Sequence, residues 1–548
     1  MPSSHLSDST RIRPTTEQRA IILEQRYVRR IMETSTRAEH KWLILSVMCV
    51  TVFLVVVDNT IVNVALPLVS RSLGASNSAL QWIVDGYSLP FAGLLLAGGG
   101  LSDRFGRKRV MQIGLAFFAM FSLAAAFSNS VGTLLSARAL MGAAAAFIFP
   151  ATLSILTVTF TDPSERAKAF GIWGATSGLA VAFGPLAGGA LIVHFWYGSI
   201  FLINVPIVAV AMIAAAVIVP ESRSPHRQRF DFGGLVLGTA GITTLVLAII
   251  QGPTWGWLAP VTLILFAGAL TLLGAFALYE LRRREPLLDV RVFRVRAFSA
   301  GAGAIATTFF GLFGFIFLMT QYFQLVRGYS AFSAGLHTLP FAIVAMIVTP
   351  LGAVAALRIG TRVVVSTGLV VMAVALIWVG VQNATTSYFG PVILSMMLLS
   401  FGFSLITAPS TSVVMSSLSP DQIGAGAAVN NTTRELGGTL GVAIVGSVFS
   451  SKFAPAVVAA FRHVPLSSHQ LLVAQSSMQA ATATVHSLPV SLRGPLLSSI
   501  VAAFMNGFHH GCFVAAAVCG VVSLLTWRFM PRRSRVVQST SLLGALAH

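Results

Sequence analysis

The sequence predicts an all-α polytopic membrane protein: two six-helix bundles related as pseudo-repeats, with two inserted helices between them, giving fourteen transmembrane helices. Three observations predict it. Hydrophobic residues make up 55% of the 548-residue chain and charged residues only 10%, whereas soluble domains carry about 25% charged residues. Mean hydropathy is +0.82. Apolar runs of membrane-crossing length also recur from end to end, separated by short basic clusters. A run of about 20 apolar residues crosses the hydrocarbon core as a helix, because a helix satisfies its own backbone hydrogen bonds. This composition excludes a soluble enzyme, a disordered scaffold and a collagen-like fibre.

Bounded by charge or turn residues, the runs are 42–68, 78–99, 110–128, 131–158, 168–193, 200–219, 232–251, 258–280, 298–325, 331–356, 363–381, 390–416, 423–451 and 505–527. Residues 1–41 form a polar tail with eight basic residues. The run that follows is too long for a cleaved signal peptide and lacks a small-residue cleavage site. Residues 42–219 make an N-terminal six-helix bundle, 220–297 a linker with two inserted spans, 298–527 a C-terminal six-helix bundle, and 528–548 a second tail. The segment 452–504 is Ser/Ala-rich and nearly uncharged, and reads as an extracytoplasmic, partly helical loop.

The formal net charge is +19. Such an excess often means nucleic acid, but here it is distributed as membrane topology. Thirty of the 36 basic residues fall on the face shared by the two tails and the even-to-odd loops, and five on the opposite face. Basic residues stay in the cytoplasm, so both termini are expected there, in a bacterial-type cell (inner) membrane. Fourteen of the 17 acids also fall in the cytoplasmic segments; the others are Asp58, Asp85 and Glu435. The three cysteines, Cys49, Cys512 and Cys519, all lie in apolar runs and imply neither a disulfide framework nor a zinc site.

An internal repeat supports the two bundles. Arg104-Phe105-Gly106-Arg107-Lys108 after the second run resembles Arg358-Ile359-Gly360-Thr361-Arg362 after the tenth, and the same offset of 254 aligns Gly114-Leu115 with Gly368-Leu369. Paired six-helix halves are an arrangement that membrane transporters use.

Several segments carry chemistry. In Gly100-Leu101-Ser102-Asp103-Arg104-Phe105-Gly106-Arg107-Lys108, glycine permits a tight turn, and Asp103 can accept from helix amides or pair with an arginine. This stretch resembles the loop signature of the major facilitator superfamily, which implies a conformational latch formed by Asp103, Arg104, Gly106 and Arg107. Asp58-Asn59-Thr60-Ile61-Val62-Asn63-Val64-Ala65-Leu66-Pro67 resembles the first-helix signature of the fourteen-helix drug/proton antiporters in that superfamily, the multidrug and quaternary-ammonium-compound exporters. Leu134, Arg138, Gly142 and Ala146 resemble its proton-coupling helix motif. Gly184-Pro185-Leu186-Ala187-Gly188-Gly189 resembles its antiporter motif. The stretch from Gln321 to Pro340, and Arg434-Glu435-Leu436-Gly437-Gly438, resemble the C-terminal half of the same subfamily. Two departures are Ala180, where the antiporter motif opens on glycine, and Met141, where a polar residue precedes Gly142.

The residues support a physical reading of their own. An ionisable side chain inside a bilayer costs a few kcal/mol and usually faces a cavity or a partner. Asp58 and Arg138 lie about nine and seven residues from the outer ends of their spans, hence at similar depth at 1.5 Å per residue. Burial and a nearby arginine act in opposite senses on a carboxyl's proton affinity, so a change in their separation would switch a proton on and off. At the offset of 259 that aligns Pro150 with Pro409, Met397 stands where the repeat would place a second Arg138, so proton coupling is expected mainly in the N-terminal half. Asn59, Asn63, Asp85, Tyr87, Gln321, Tyr322, Arg434 and Glu435 are the candidate substrate-cavity residues, with span-nine aromatics as apolar wall. For Asp85 a solvated helix-end acid, and for Arg434–Glu435 a helix-end salt bridge, are equally open readings.

No lysine follows a glycine, which excludes a Walker A loop, and no HExxH or GxSxG motif is present. The expectation is a secondary active transporter rather than an enzyme, with no cofactor and no metal. It would export amphiphilic, often cationic drugs in exchange for protons, as a monomer. The rival within the class is a proton-coupled exporter of one endogenous metabolite such as a peptide, lipid or siderophore. A receptor or membrane-embedded enzyme is disfavoured, because there is no folded soluble domain and no cluster of acids and histidines at one membrane face.

Overall fold

The computed structural model describes residues 16–75, 77–223, 231–283, 286–418 and 423–531; the first fifteen residues and the tail from 532 lie outside them. Among the described residues the chain is helical and has no strand. The N-terminal half comprises α1 (Thr16–Leu73), α2 (Asn77–Phe105), α3 (Arg107–Ala126), α4 (Val131–Thr159), α5 (Pro163–His194), the single turn α6 (Ser199–Leu202) and α7 (Asn204–Ile218). The inserted pair is α8 (Phe232–Trp255) and α9 (Pro260–Arg282). The C-terminal half comprises α10 (Arg296–Gln321), α11 (Ala331–Ile359), α12 (Thr361–Gly380), α13 (Ile393–Ser416), α14 (Ile423–Ala460), α15 (Ser468–Ala474), α16 (Met478–His486) and α17 (Val490–Phe529).

Thirteen helices among the described residues are long and apolar enough to cross a membrane. Of the fourteen expected spans, the one whose helix falls outside this set is α2. Its 29 residues include Asp85, Pro90 and the triplet Gly98-Gly99-Gly100, which dilute its apolarity. It nevertheless packs against α4, α8 and α14, because its glycines let neighbours close in: a Cβ at Gly98 would lie 2.1 Å from the Ala146 carbonyl oxygen. The count of helices long and apolar enough to span is thus one below the expected fourteen.

The segment 452–504, expected to be a partly helical loop, is helical over most of its length: α14 and α17 extend past the expected spans and enclose α15 and α16. Phe453, Val457, Met478, Val485 and Ile500 are buried in the same apolar core as Phe310 and Met372. This helical cap belongs to the C-terminal half.

Two large apolar cores exist. One is built almost wholly from α1–α7 and the other from residues 304–530. Corresponding helices pair in each: α1 with α5 and α10 with α14, α2 with α4 and α11 with α13, α3 with α4 and α12 with α13. Gly106 and Gly360 take φ of 108° and 95°, a region that favours glycine, and each breaks the chain between two helices. Gly114 faces Ile148 on α4 and Gly368 faces Ile406 on α13, so repeat-related glycines hold equivalent helix pairs together. Between the halves, α5 packs along α11, while α8 rests on both α2 and α14.

Candidate functional site

Asp58 and Arg138 are brought together, each with no exposed surface. Arg138 Nη1 donates to Asp58 Oδ2 at 2.7 Å. The other carboxylate oxygen, Oδ1, accepts from Asn204 Nδ2 at 2.7 Å. That amide also donates to Ser122 Oγ at 3.0 Å, which in turn donates to the Phe201 carbonyl at 2.8 Å. Arg138 Nε donates to the Ile83 carbonyl at 3.3 Å, and the guanidinium lies 4.3 Å from the Tyr87 ring centroid. Gly142 permits this approach, since a Cβ there would lie 2.1 Å from the Tyr87 carbonyl oxygen. Breaking such a buried pair by removing one partner typically costs about 3–5 kcal/mol. Arg138 Nη2 and Tyr87 Oη are buried without a protein hydrogen-bond partner, so the pair has unused donor capacity. Asn204 escaped the sequence reading; its signal was a single amide side chain in the apolar run of α7.

At the α2–α3 corner, Asp103 Oδ1 accepts from Arg107 Nε at 3.1 Å and from Nη2 at 2.6 Å, both residues being buried. Arg104 is exposed and lies over the Phe105 ring. The α3 amides are capped from elsewhere. Glu221, just beyond α7, accepts from the Lys108 and Arg109 backbone nitrogens, each at 3.1 Å, and the Ser222 carbonyl accepts from Arg107 N at 2.8 Å. A carboxylate at a helix N-terminus satisfies unpaired amides and complements the helix dipole. Glu221 was not anticipated, because only the fold brings it beside Gly106.

The glycines of α5 serve two partners. A Cβ at Gly184 would lie 2.0 Å from Thr60 Oγ1, and one at Gly188 would lie 2.8 Å from Ile61 Cγ1, so both hold α5 against α1. Gly189 faces the other half, where a Cβ would lie 3.2 Å from Phe332 Cβ. Pro185 sits between these contacts, inside the helix. Ala180, where the motif departs from glycine, is fully buried.

The remaining candidates are dispersed. Asn59 and Asp85 are half-buried, and Asn63 is exposed and donates to the Thr60 carbonyl. Gln321 donates to the Phe317 carbonyl of its own helix. Tyr322 is packed in the C-terminal core against Phe508 and donates to the Asn383 carbonyl at 3.2 Å. Arg434 is buried between the halves, with its guanidinium 4.4 Å from the Phe309 ring, 4.9 Å from Trp173 and 5.9 Å from Phe149. Glu435, half-buried, is close enough to Tyr87 to act on it electrostatically, and so bears on the surroundings of Arg138 from the C-terminal half.

Two similar helical halves, a buried ion pair within one of them and helices packed along the seam between them make up the architecture of a membrane transporter. The profile of the Major Facilitator Superfamily matches residues 48–442, and the chain belongs to that family. It is 36% identical over 487 residues to the "Multidrug efflux pump LfrA" of Mycolicibacterium smegmatis, covering 88% of this chain and 94% of that protein. It is 35% identical over 470 residues to the "Methyl viologen resistance protein SmvA" of Salmonella typhimurium, covering 85% and 93%. Among solved structures, the human organic anion transporter MFSD10 (TETRAN) superposes with a TM-score of 0.59 at 15% identity, covering 89% of this chain and 99% of that one. The proton:xylose symporter XylE gives 0.58 at 14%, covering 92% and 99%. At these identities the two structures speak to fold alone.

Proposed function

We propose that this chain is a proton-driven exporter of amphiphilic, often cationic small molecules from the cytoplasm. In this reading the two halves rock about the α5–α11 seam, with both termini cytoplasmic in the cell membrane. The observation that carries it is the buried Asp58–Arg138–Asn204 group inside the N-terminal half, in a chain similar along most of its length to multidrug efflux proteins. While Arg138 holds the carboxylate, the ion pair is compensated. When a shift of α4 against α1 within the N-terminal half accompanies the rocking and the guanidinium withdraws, an isolated charge in an apolar interior is costly, and a proton from outside neutralises it. Occupied in turn by proton and substrate, the transporter exchanges one for the other. Asp103–Arg107 and the Glu221 cap stiffen the α2–α3 corner, which keeps the N-terminal half moving as a body.

The test is reconstitution of the purified chain into vesicles with an imposed pH gradient and a panel of lipophilic dyes, including ethidium and quaternary ammonium compounds. Gradient-dependent accumulation of several unrelated cations supports the proposal. Movement of a single neutral metabolite and no dye would instead identify a dedicated metabolite exporter.

A further inference from the structure

Arg434 has no established occupation. It is 7% exposed, its Nη1 lacks a hydrogen-bond partner, and among the described residues no carboxylate lies within ion-pair distance of it. It lines a chamber of about 10 Å³ between the halves, together with Phe170, Trp173, Phe309, Thr407 and Thr411. Thr407 Oγ1 is buried there and also lacks a partner. The walls are fixed: Trp173 Nε1 donates to Thr152 Oγ1 at 3.2 Å, and Phe309 packs edge-on against Phe403.

A guanidinium carries five donors in a planar fork suited to a carboxylate. Aromatic faces offset its charge in part, but they leave its donors unused. In this conformation, two of the three ring partners, Phe149 and Trp173, come from the N-terminal half, while Arg434 and Phe309 belong to the C-terminal half. Separation of the halves would remove those two rings from the cation and widen the chamber beside them. What then enters would meet a guanidinium with an unused donor, a free hydroxyl and flat apolar walls.

We infer that the Arg434 chamber is a subsite for the carboxylate of an aromatic amphiphile, so that the substrates include zwitterions and organic acids as well as lipophilic cations. The carboxylate would lie in the Arg434 fork and accept from Thr407, while the aromatic body would stack on Trp173 and Phe309. This deepens the reading of the chain as an exporter and rests on the separation of its halves.

The test uses the purified full-length chain in nanodiscs and two probes, a zwitterionic rhodamine bearing a free carboxylate and its methyl ester, with binding read by fluorescence anisotropy. Arg434→Gln is expected to weaken the acid by about tenfold or more relative to its effect on the ester, as loss of a charge-assisted bond implies. Arg434→Lys, which keeps charge without the fork, should fall between. Thr407→Val should lower the acid-to-ester preference in the same sense, and it decides the matter if Arg434→Gln is not monodisperse. Equal effects on both dyes, or a wild type that fails to bind the acid, would overturn the inference. Proton-driven uptake of the ester alone would still uphold the exporter reading, so the two can fail separately.

Discussion

At the scale of single residues, the Asp58 group sets the sharpest expectations. Asp58→Asn keeps the shape and removes the charge that Arg138 and Asn204 engage. It should insert normally, retain weak substrate binding and lose gradient-driven accumulation in vesicles; full accumulation would remove Asp58 as the proton carrier and point to Glu435 or Asp85. Asn204→Leu is the complementary change. It strips one donor from a buried carboxylate, worth about 1.5–3 kcal/mol for a charged acceptor, and should shift the pH dependence of transport while leaving the Arg138 pair in place. An unchanged pH profile would make Asn204 a packing residue only. The sequence made Asp58 and Arg138 visible because ionisable residues are conspicuous in apolar runs. It could not show Asn204 as a partner of Asp58, nor Ser122 as a partner of Asn204, since 146 and 82 positions separate these pairs and only the packing of α1, α3 and α7 closes those distances. Tyr322 illustrates the converse: an aromatic in a suggestive motif turned out to be packed in the C-terminal core.

At the scale of elements, the α2–α3 corner is a capped break. Gly106 holds φ at 108°, and a Cβ there would lie 2.7 Å from the Glu221 carboxylate. Glu221→Ala leaves two first-turn amides of α3 without their acceptor, which for a lost cap costs about 1 kcal/mol. It should lower the thermal midpoint modestly and reduce transport. Gly106→Val adds backbone strain to the clash and should do both more severely. If Glu221→Ala matched wild type in both measurements, the corner would not depend on that cap. The repeat-related corner at Gly360 has the same backbone but offers a contrast in charge, because Leu357 stands where Asp103 would be. The repeat was legible as spacing and the turn at Gly106 as a glycine turn, while the matching backbone at Gly360 came only from the fold. The partly helical character of 452–504 was legible but its division into α15 and α16 was not, because short Ser/Ala-rich helices lack the long apolar period that reveals a span.

At the scale of the whole molecule, the apolar runs and their charge asymmetry predicted the architecture, while the contact between the halves had to come from the fold. Reporter fusions at positions 225, 290 and 540 are expected to read cytoplasmic and one at 475 exterior; a C-terminus on the exterior would overturn the span count. Motion between the halves can be tested at the seam itself. Gly189 on α5 meets Phe332 on α11, with a Cβ-to-Cβ separation of 3.2 Å, close to that of a disulfide. After Cys49, Cys512 and Cys519 are replaced by alanine, Gly189→Cys with Phe332→Cys should form a bond on mild oxidation. That bond ties the two halves together at one end of the seam. A control pair, Gly114→Cys with Phe147→Cys, has a corresponding separation of 3.4 Å within the N-terminal half and constrains no movement between halves. If transport requires rocking, oxidation should abolish dye export through the first pair, reduction should restore it, and the control should be insensitive to both. Continued export by a fully cross-linked first pair would mean that α5 and α11 stay together at this end throughout the cycle, and that the halves part elsewhere.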